Sequence, residues 1–88
     1  MPTISRFYGI AVSIHKEDGG KHHIPHIHAT SGDSQAVFDF KGNILGGSLP
    51  MRERKLVIAW IELHEEELEH AWELCQNGCI PNKIAPLQ

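Results

Sequence analysis

Eighty-eight residues are enough for one small domain around a single core, with little stability to spare. Hydrophobic residues make up 41% and charged residues 22%, an ordinary balance, and the formal charge of −3 excludes the basic excess that drives nonspecific nucleic-acid binding. The longest apolar run, residues 56–61, is too short to span a bilayer, and the opening residues carry no apolar core of a secretory signal.

The first half reads as strands. In residues 7–15, Tyr8, Ile10, Val12 and Ile14 alternate with Phe7, Gly9, Ala11, Ser13 and His15, the period-2 pattern of a strand with one buried face. Residues 16–23 are polar and contain Gly19-Gly20, which predicts a loop. A second strand is expected over 24–30, starting near Pro25, and a third over 35–40 after the turn Ser31-Gly32-Asp33-Ser34. Lys41-Gly42-Asn43 leads into a short fourth strand at 44–46.

The second half is helical. Pro50 suits a first helical position, and Val57, Trp60, Ile61, His64, Leu68, Ala71, Trp72 and Cys75 form one apolar stripe as far as Asn77. A straight helix over 50–77 would run roughly 40 Å, long for so small a sheet, so a bend near Leu63-His64-Glu65 or projection into a partner is expected. The fold class is therefore α+β in a single domain: an antiparallel sheet of three to four strands packed on a long or bent C-terminal helix. Ile84 and Leu87 are docking points for the tail. Charge divides along the chain, +2 up to Ile61 and −5 beyond it, and the acidic half reads as a solvated helix face.

Seven histidines are the unusual feature, with His22, His23, His26 and His28 inside seven positions. On a strand, His26 and His28 point to the same face, with Cα atoms roughly 7 Å apart. Burial argues for one register, in which Ile10, Val12, Ile27, Ala29, Ala36, Phe38 and Phe40 share the core face. The opposite face then carries Ala11, Ser13, His15, His26, His28, Gln35, Val37 and Asp39, with small Gly9 beside them. If the turn occupies residues 31–34, Thr30 pairs with Gln35 and His26 lies across from Asp39.

Three readings of this cluster stand open. The first is a metal site of His26 and His28 with His22, His15 or Asp39 as third ligand; neutral imidazoles suit zinc, copper, nickel or iron. The second is metal-free ribonuclease chemistry. There His26 and His28 act as base and acid on RNA, Asp39 orients His26, and Lys21, Lys41 or Arg6 holds the phosphate. The third is a solvent-facing strand with no chemistry, or an interface with another protein.

The chain also resembles the small prokaryotic family catalogued as domain of unknown function 4160. The opening Met1-Pro2-Thr3-Ile4-Ser5-Arg6-Phe7-Tyr8-Gly9-Ile10 is similar to the family's usual start, and Pro25-His26-Ile27-His28 to its P-H-[aromatic or aliphatic]-H signature. Ala36-Val37-Phe38-Asp39-Phe40, Leu49-Pro50, Trp60, His64, Leu68, Trp72 and the ending Ile84-Ala85-Pro86-Leu87 also fit. Lys21 stands where the family often has the acid of an Asp-His pair ending at His22. The resemblance implies a small cytosolic protein, strands followed by a helix, and a component of a toxin–antitoxin-like gene pair. It implies no established mechanism.

Elsewhere the residues read more simply. His64 is expected at the core edge with one ring nitrogen hydrogen-bonded, and His70 on the helix surface near Glu66. Arg52, Arg54 and Lys55 make a basic helix start. Cys75 and Cys79 are expected as reduced thiols, with a two-cysteine metal half-site the alternative. A stripe bearing both Trp60 and Trp72 exceeds what one small sheet covers, so a protein partner or a homo-oligomer is expected on the helix surface near them.

Overall fold

The computed structural model describes residues 3–16 and 24–88. The elements run β1 (Thr3–Phe7), β2 (Ile10–Ser13), β3 (His26–Ser31), β4 (Ser34–Asp39), β5 (Ile44–Ser48), α1 (Met51–Leu63) and α2 (Glu65–Gln76). The strands form one antiparallel sheet in sequence order, so the α+β architecture of strands followed by helix stands, with five strands rather than three or four.

The extra strand, β1, lies almost wholly ahead of the alternation read at 7–15, and the turn that separates it from β2 falls inside that alternation. Tyr8 and Gly9, both at positive φ (50° and 78°), turn the chain between Phe7 and Ile10. This is the backbone that a two-residue hairpin needs to match strand twist. Gly9 is thus in a turn and not on the open face, and the turn puts Phe7 and Ile10 together in the core. A register shift between Thr3 and Ser5 adds a bulge to β1, which buries Ile4 and Ser5 in succession.

The β3–β4 pairing has the register that burial demanded: His26↔Asp39, Ile27↔Phe38, His28↔Val37, Ala29↔Ala36 and Thr30↔Gln35. Ile10, Val12, Ile27, Ala29, Ala36, Phe38 and Phe40 are all buried on the face that the helices cover. The uncovered face carries Ala11, Ser13, His28, Val37 and Gly46 among small and polar neighbours.

The helix is bent, and the break falls at His64, at φ −124° and ψ 25°. No proline or glycine causes it. The described molecule is 33 Å in its longest dimension, shorter than the roughly 40 Å of a straight helix over 50–77. Breaking at His64 lets Val57, Trp60 and Ile61 on α1 and Leu68, Ala71 and Cys75 on α2 bury against one small core. Glu65, Glu66 and Glu67 then occupy the first turn of α2, where the helix dipole favours negative charge. Lys41 forms an ion pair with Glu65 and ties the β4–β5 turn to the break. Pro50 is the N-cap, one position outside the helix. No described helix is long and apolar enough to cross a membrane.

Trp60 lies in the interior and not on the helix surface. It has 0% exposure, lies against Phe7 at 5.4 Å between ring centroids, and donates from Nε1 to the Ala85 carbonyl at 2.8 Å. The surplus of the stripe is covered by the chain's own tail, in which Ile84 is buried and its N–H donates to the Ile4 carbonyl. Trp72 is half-buried against other rings of this chain. The large apolar side chains left exposed lie elsewhere, with Ile44 and Leu45 on β5, and Tyr8, Met51 and Leu63 beyond it.

Two glycines separate backbone strain from steric exclusion. A Cβ at Gly47 (φ 69°) would lie 2.2 Å from the Gln35 carbonyl oxygen, whereas at Gly9 (φ 78°) it would meet nothing within 4 Å. Gly9→Ala is expected to cost about 1 kcal/mol from the positive φ alone. Gly47→Ala is expected to cost at least twice that, because β5 must move off β4. Urea denaturation of both variants checks this, and equal losses would refute the steric account.

Candidate functional site

The feature that concentrates titratable chemistry is a group of three imidazoles at one end of the sheet. His26 is the first residue of β3, His28 follows on the same face, and His15 lies just past the end of β2, which pairs with β3 through Ser13↔His28. His15 stacks on His28 with ring centroids 4.1 Å apart and planes 28° apart. His26 meets His28 edge-on at 5.4 Å and 61°.

The second half of the chain closes the site. Trp72 and Gln76, one turn apart on α2, both reach it. The Trp72 ring lies 5.2 Å from that of His26, with Phe40 beyond it at 6.4 Å, and Gln76 Nε2 donates to the His15 carbonyl at 3.0 Å. Because His26 stands at the very start of β3, α2 can cover it even though its parity is that of the open face. It is only 6% exposed, while His15 and His28 are half-buried.

His26 is held in one tautomer. Its Nδ1 lies 2.8 Å from the Ile24 carbonyl, which can only accept, so Nδ1 carries a proton, and in the neutral ring the lone pair is on Nε2. A backbone carbonyl on the far nitrogen is the arrangement that orients metal-ligating and catalytic histidines. The Gln35 amide lies 3.4 Å from His28 Nδ1. Turned over, that amide would accept from Nδ1–H and give His28 the same tautomer as His26; amide orientation is set by the network around it.

Asp39 is opposite His26 in the backbone, as the register required, but its carboxylate does not join the cluster. Oδ1 accepts from the backbone N–H groups of Lys41 and Asn43, at 2.9 and 2.8 Å, and Oδ2 accepts from Asn43 Nδ2 at 3.1 Å. The residue order Asp-Phe-Lys-Gly-Asn makes a local Asx-type turn, and the aspartate serves it. Burial pushes the Asp39 carboxyl up, but the hydrogen bonds from Asn43, Lys41 and Gly42 together outweigh it and hold the pKa below its ordinary value. In this structure the Asp39 carboxylate serves its own turn, and the Ile24 carbonyl accepts from His26 Nδ1.

Of the other candidates, His15 is present in the cluster as a stacked neighbour. His22 and Lys21, with His23, lie outside the described residues. Among the described residues, no group of three or more His, Cys, Asp or Glu is arranged to hold a metal ion. Cys75 is buried and Cys79 exposed, and burial raises the Cys75 thiol above its usual value. His64 is the core-edge histidine expected, packed on Trp60 and with Nδ1 2.7 Å from Glu67 Oε1. Gln35 is on the histidine face as expected, and Trp72 and Gln76 are the site residues that the sequence did not place there. Their i, i+4 spacing was readable, but which sheet end α2 reaches depends on the break at His64.

A family model described as a domain of unknown function (DUF4160) matches residues 9–73, which include His15, His26, His28 and Trp72. No curated protein and no solved structure matches the chain.

The turn gives Asp39 a stability role with a defined pH sign. Its folded pKa lies below the unfolded value, so its contribution is complete above about pH 5 and is lost as pH falls through the folded pKa. Asp39→Ala is expected to lower stability by about 1–2 kcal/mol at pH 7 and by progressively less below pH 4. Denaturant titrations at pH 7 and pH 3 measure this; a loss independent of pH would refute the charged-acceptor role.

Proposed function

The chain belongs to the DUF4160 family, and from that premise we propose that His26 and His28 bind one divalent transition metal ion in a protein that works as one half of a toxin–antitoxin-like pair. The observation that carries the metal reading is the 5.4 Å edge-on spacing of the two rings. Two imidazoles on one tetrahedral ion, with metal–nitrogen distances near 2.1 Å, hold their centroids roughly 5 Å apart. The carbonyl-fixed tautomer of His26 supports the same assignment.

The ligand set is narrower than the histidine count suggests. His15 packs face to face on His28, with ring planes 28° apart. His15 therefore supports the His28 ring. The third position falls to His22, four residues before His26 in sequence, and a fourth to water or a ligand. Zinc, nickel, copper and iron(II) are the ions that such nitrogen donors take. The pairing with a partner protein rests on the family resemblance, and the partner does not dock through Trp60, which is interior.

A second reading, metal-free RNA cleavage, is favoured by the engagement of the Asp39 carboxylate in its own turn, which leaves His26 and His28 side by side without it. In that reading His26 Nε2 takes the 2′-hydroxyl proton and His28 protonates the leaving oxygen. Of the expected phosphate contacts, Lys41 is held by Glu65, Arg6 lies at the hairpin end of β1 across from Ala11, and Lys21 lies outside the described residues.

Titration of untagged protein with zinc, nickel and copper against a chromophoric chelator separates the readings. About one equivalent is expected to bind. His26→Ala and His28→Ala are each expected to weaken binding at least tenfold, and His15→Ala much less. Absence of binding at micromolar metal, or equal affinity in His26→Ala, would sink the metal reading. Growth arrest on expression that both histidine variants abolish without any metal dependence would establish the ribonuclease reading instead.

A further inference from the structure

The two edges of the sheet are finished differently, and the β1 edge opens into a groove with its own chemistry. The tail runs beside β1 and makes one backbone hydrogen bond to it, from the Ile84 N–H to the Ile4 carbonyl. Past that bond the two segments enclose an open groove of about 580 Å³, lined by Thr3, Ser5 and Arg6 on one side and Lys83, Ile84 and Pro86 on the other. That volume is in the range of ligand sites.

Three observations describe its occupant. The first is backbone. Phe7 and Ile10 close a two-residue hairpin, so they form a hydrogen-bonded pair and the neighbouring Arg6 turns its N–H and C=O to the outer edge. No described backbone group outside the strand takes them up.

The second is charge. Arg6 and Lys83 are the charged residues of the lining, no acid lines the groove, and neither forms an ion pair among the described residues. In a chain of net charge −3, this makes a local cationic pair. The third is an unsatisfied hydroxyl. The bulge turns Ser5 inward at 7% exposure, and its Oγ has no hydrogen-bond partner among the described residues. A buried polar atom left so is uncommon and marks a place where a partner group completes the structure.

We infer that this groove binds an extended acidic peptide segment of a partner protein. The segment adds to the β1 edge through the backbone of Arg6, in the manner of strand addition. Its carboxylates pair with Arg6 and Lys83, and a polar group reaches Ser5. The apolar floor at Ile84 and Pro86 receives the alternate side chains. The inference is independent of the metal reading, because the groove lies at β1 and shares no residue with the histidine cluster.

The test uses the full ¹⁵N-labelled chain and three probes: a capped Glu-Val-Glu-Val-Asp-Val hexapeptide, its all-lysine counterpart, and a single-stranded hexanucleotide. The acidic peptide is expected to shift the amides of Arg6, Lys83 and Ala85 and to leave His26 and His28 unmoved. Its affinity is expected to fall at least tenfold in Arg6→Gln/Lys83→Gln, whose amide spectrum checks the fold. No shift at millimolar acidic peptide, or equal binding of the lysine peptide, would overturn the inference. Tighter binding of the oligonucleotide at the same amides would also overturn it, as would concentration-dependent shifts without any probe, which would make a second copy the occupant.

Discussion

The parity of the β3–β4 ladder is the constraint on which the rest of the molecule depends. With Ile27 opposite Phe38 and Ala29 opposite Ala36, four fully buried side chains form the centre of the core, and His26 and His28 are sent to the other face in the same step. A slip of one residue would turn His28 into the core and expose Ile27 and Phe38. The apolar face and the histidine site are thus one decision, made by hydrophobic burial and read out as chemistry on the opposite side.

The helical half does two jobs with one stripe. α1 supplies Val57, Trp60 and Ile61 to the core, and the break at His64 redirects α2 so that Leu68, Ala71 and Cys75 complete it. The same redirection carries Trp72 and Gln76 to the end of the sheet, where they wall the imidazoles. Trp60 shows how a small domain satisfies a large polar-tipped side chain. Its ring is fully buried, and its indole N–H finds the Ala85 carbonyl of the tail. The tail is therefore part of the core, and its shallow hold on β1 is what leaves a groove beside Arg6.

Electrostatic and metal-ligating capacity are kept apart. Asp39 is drawn into its own turn by three nearby donors, and Glu65 and Glu67 are engaged by Lys41 and His64. Among the described residues, His15, His26 and His28 share imidazole contacts with one another and with Trp72. Imidazole nitrogens suit a borderline-soft metal ion, and within the group His26 meets His28 edge-on while His15 stacks on it.

Local spacing determined much of this. Alternation identified the strands around Val12, Ile27 and Phe38, and the apolar set alone selected the ladder that puts His26 across from Asp39, because a pleated strand has only two faces. Helical periodicity identified the stripe from Val57 to Cys75, and the length of that stripe against the sheet called for a bend. Other features were decided only by tertiary structure. The hairpin at Tyr8-Gly9 lies inside an unbroken alternation, since a two-residue turn leaves the pattern of apolar residues undisturbed. Trp60 became interior because a tail remote in sequence came back to accept its N–H. The Asp39 carboxylate turned to its own backbone, because donors two and four residues away outcompete a ring across the ladder. Strand parity says which face a side chain leaves from; where its polar end goes depends on the donors and rings that folding brings within reach.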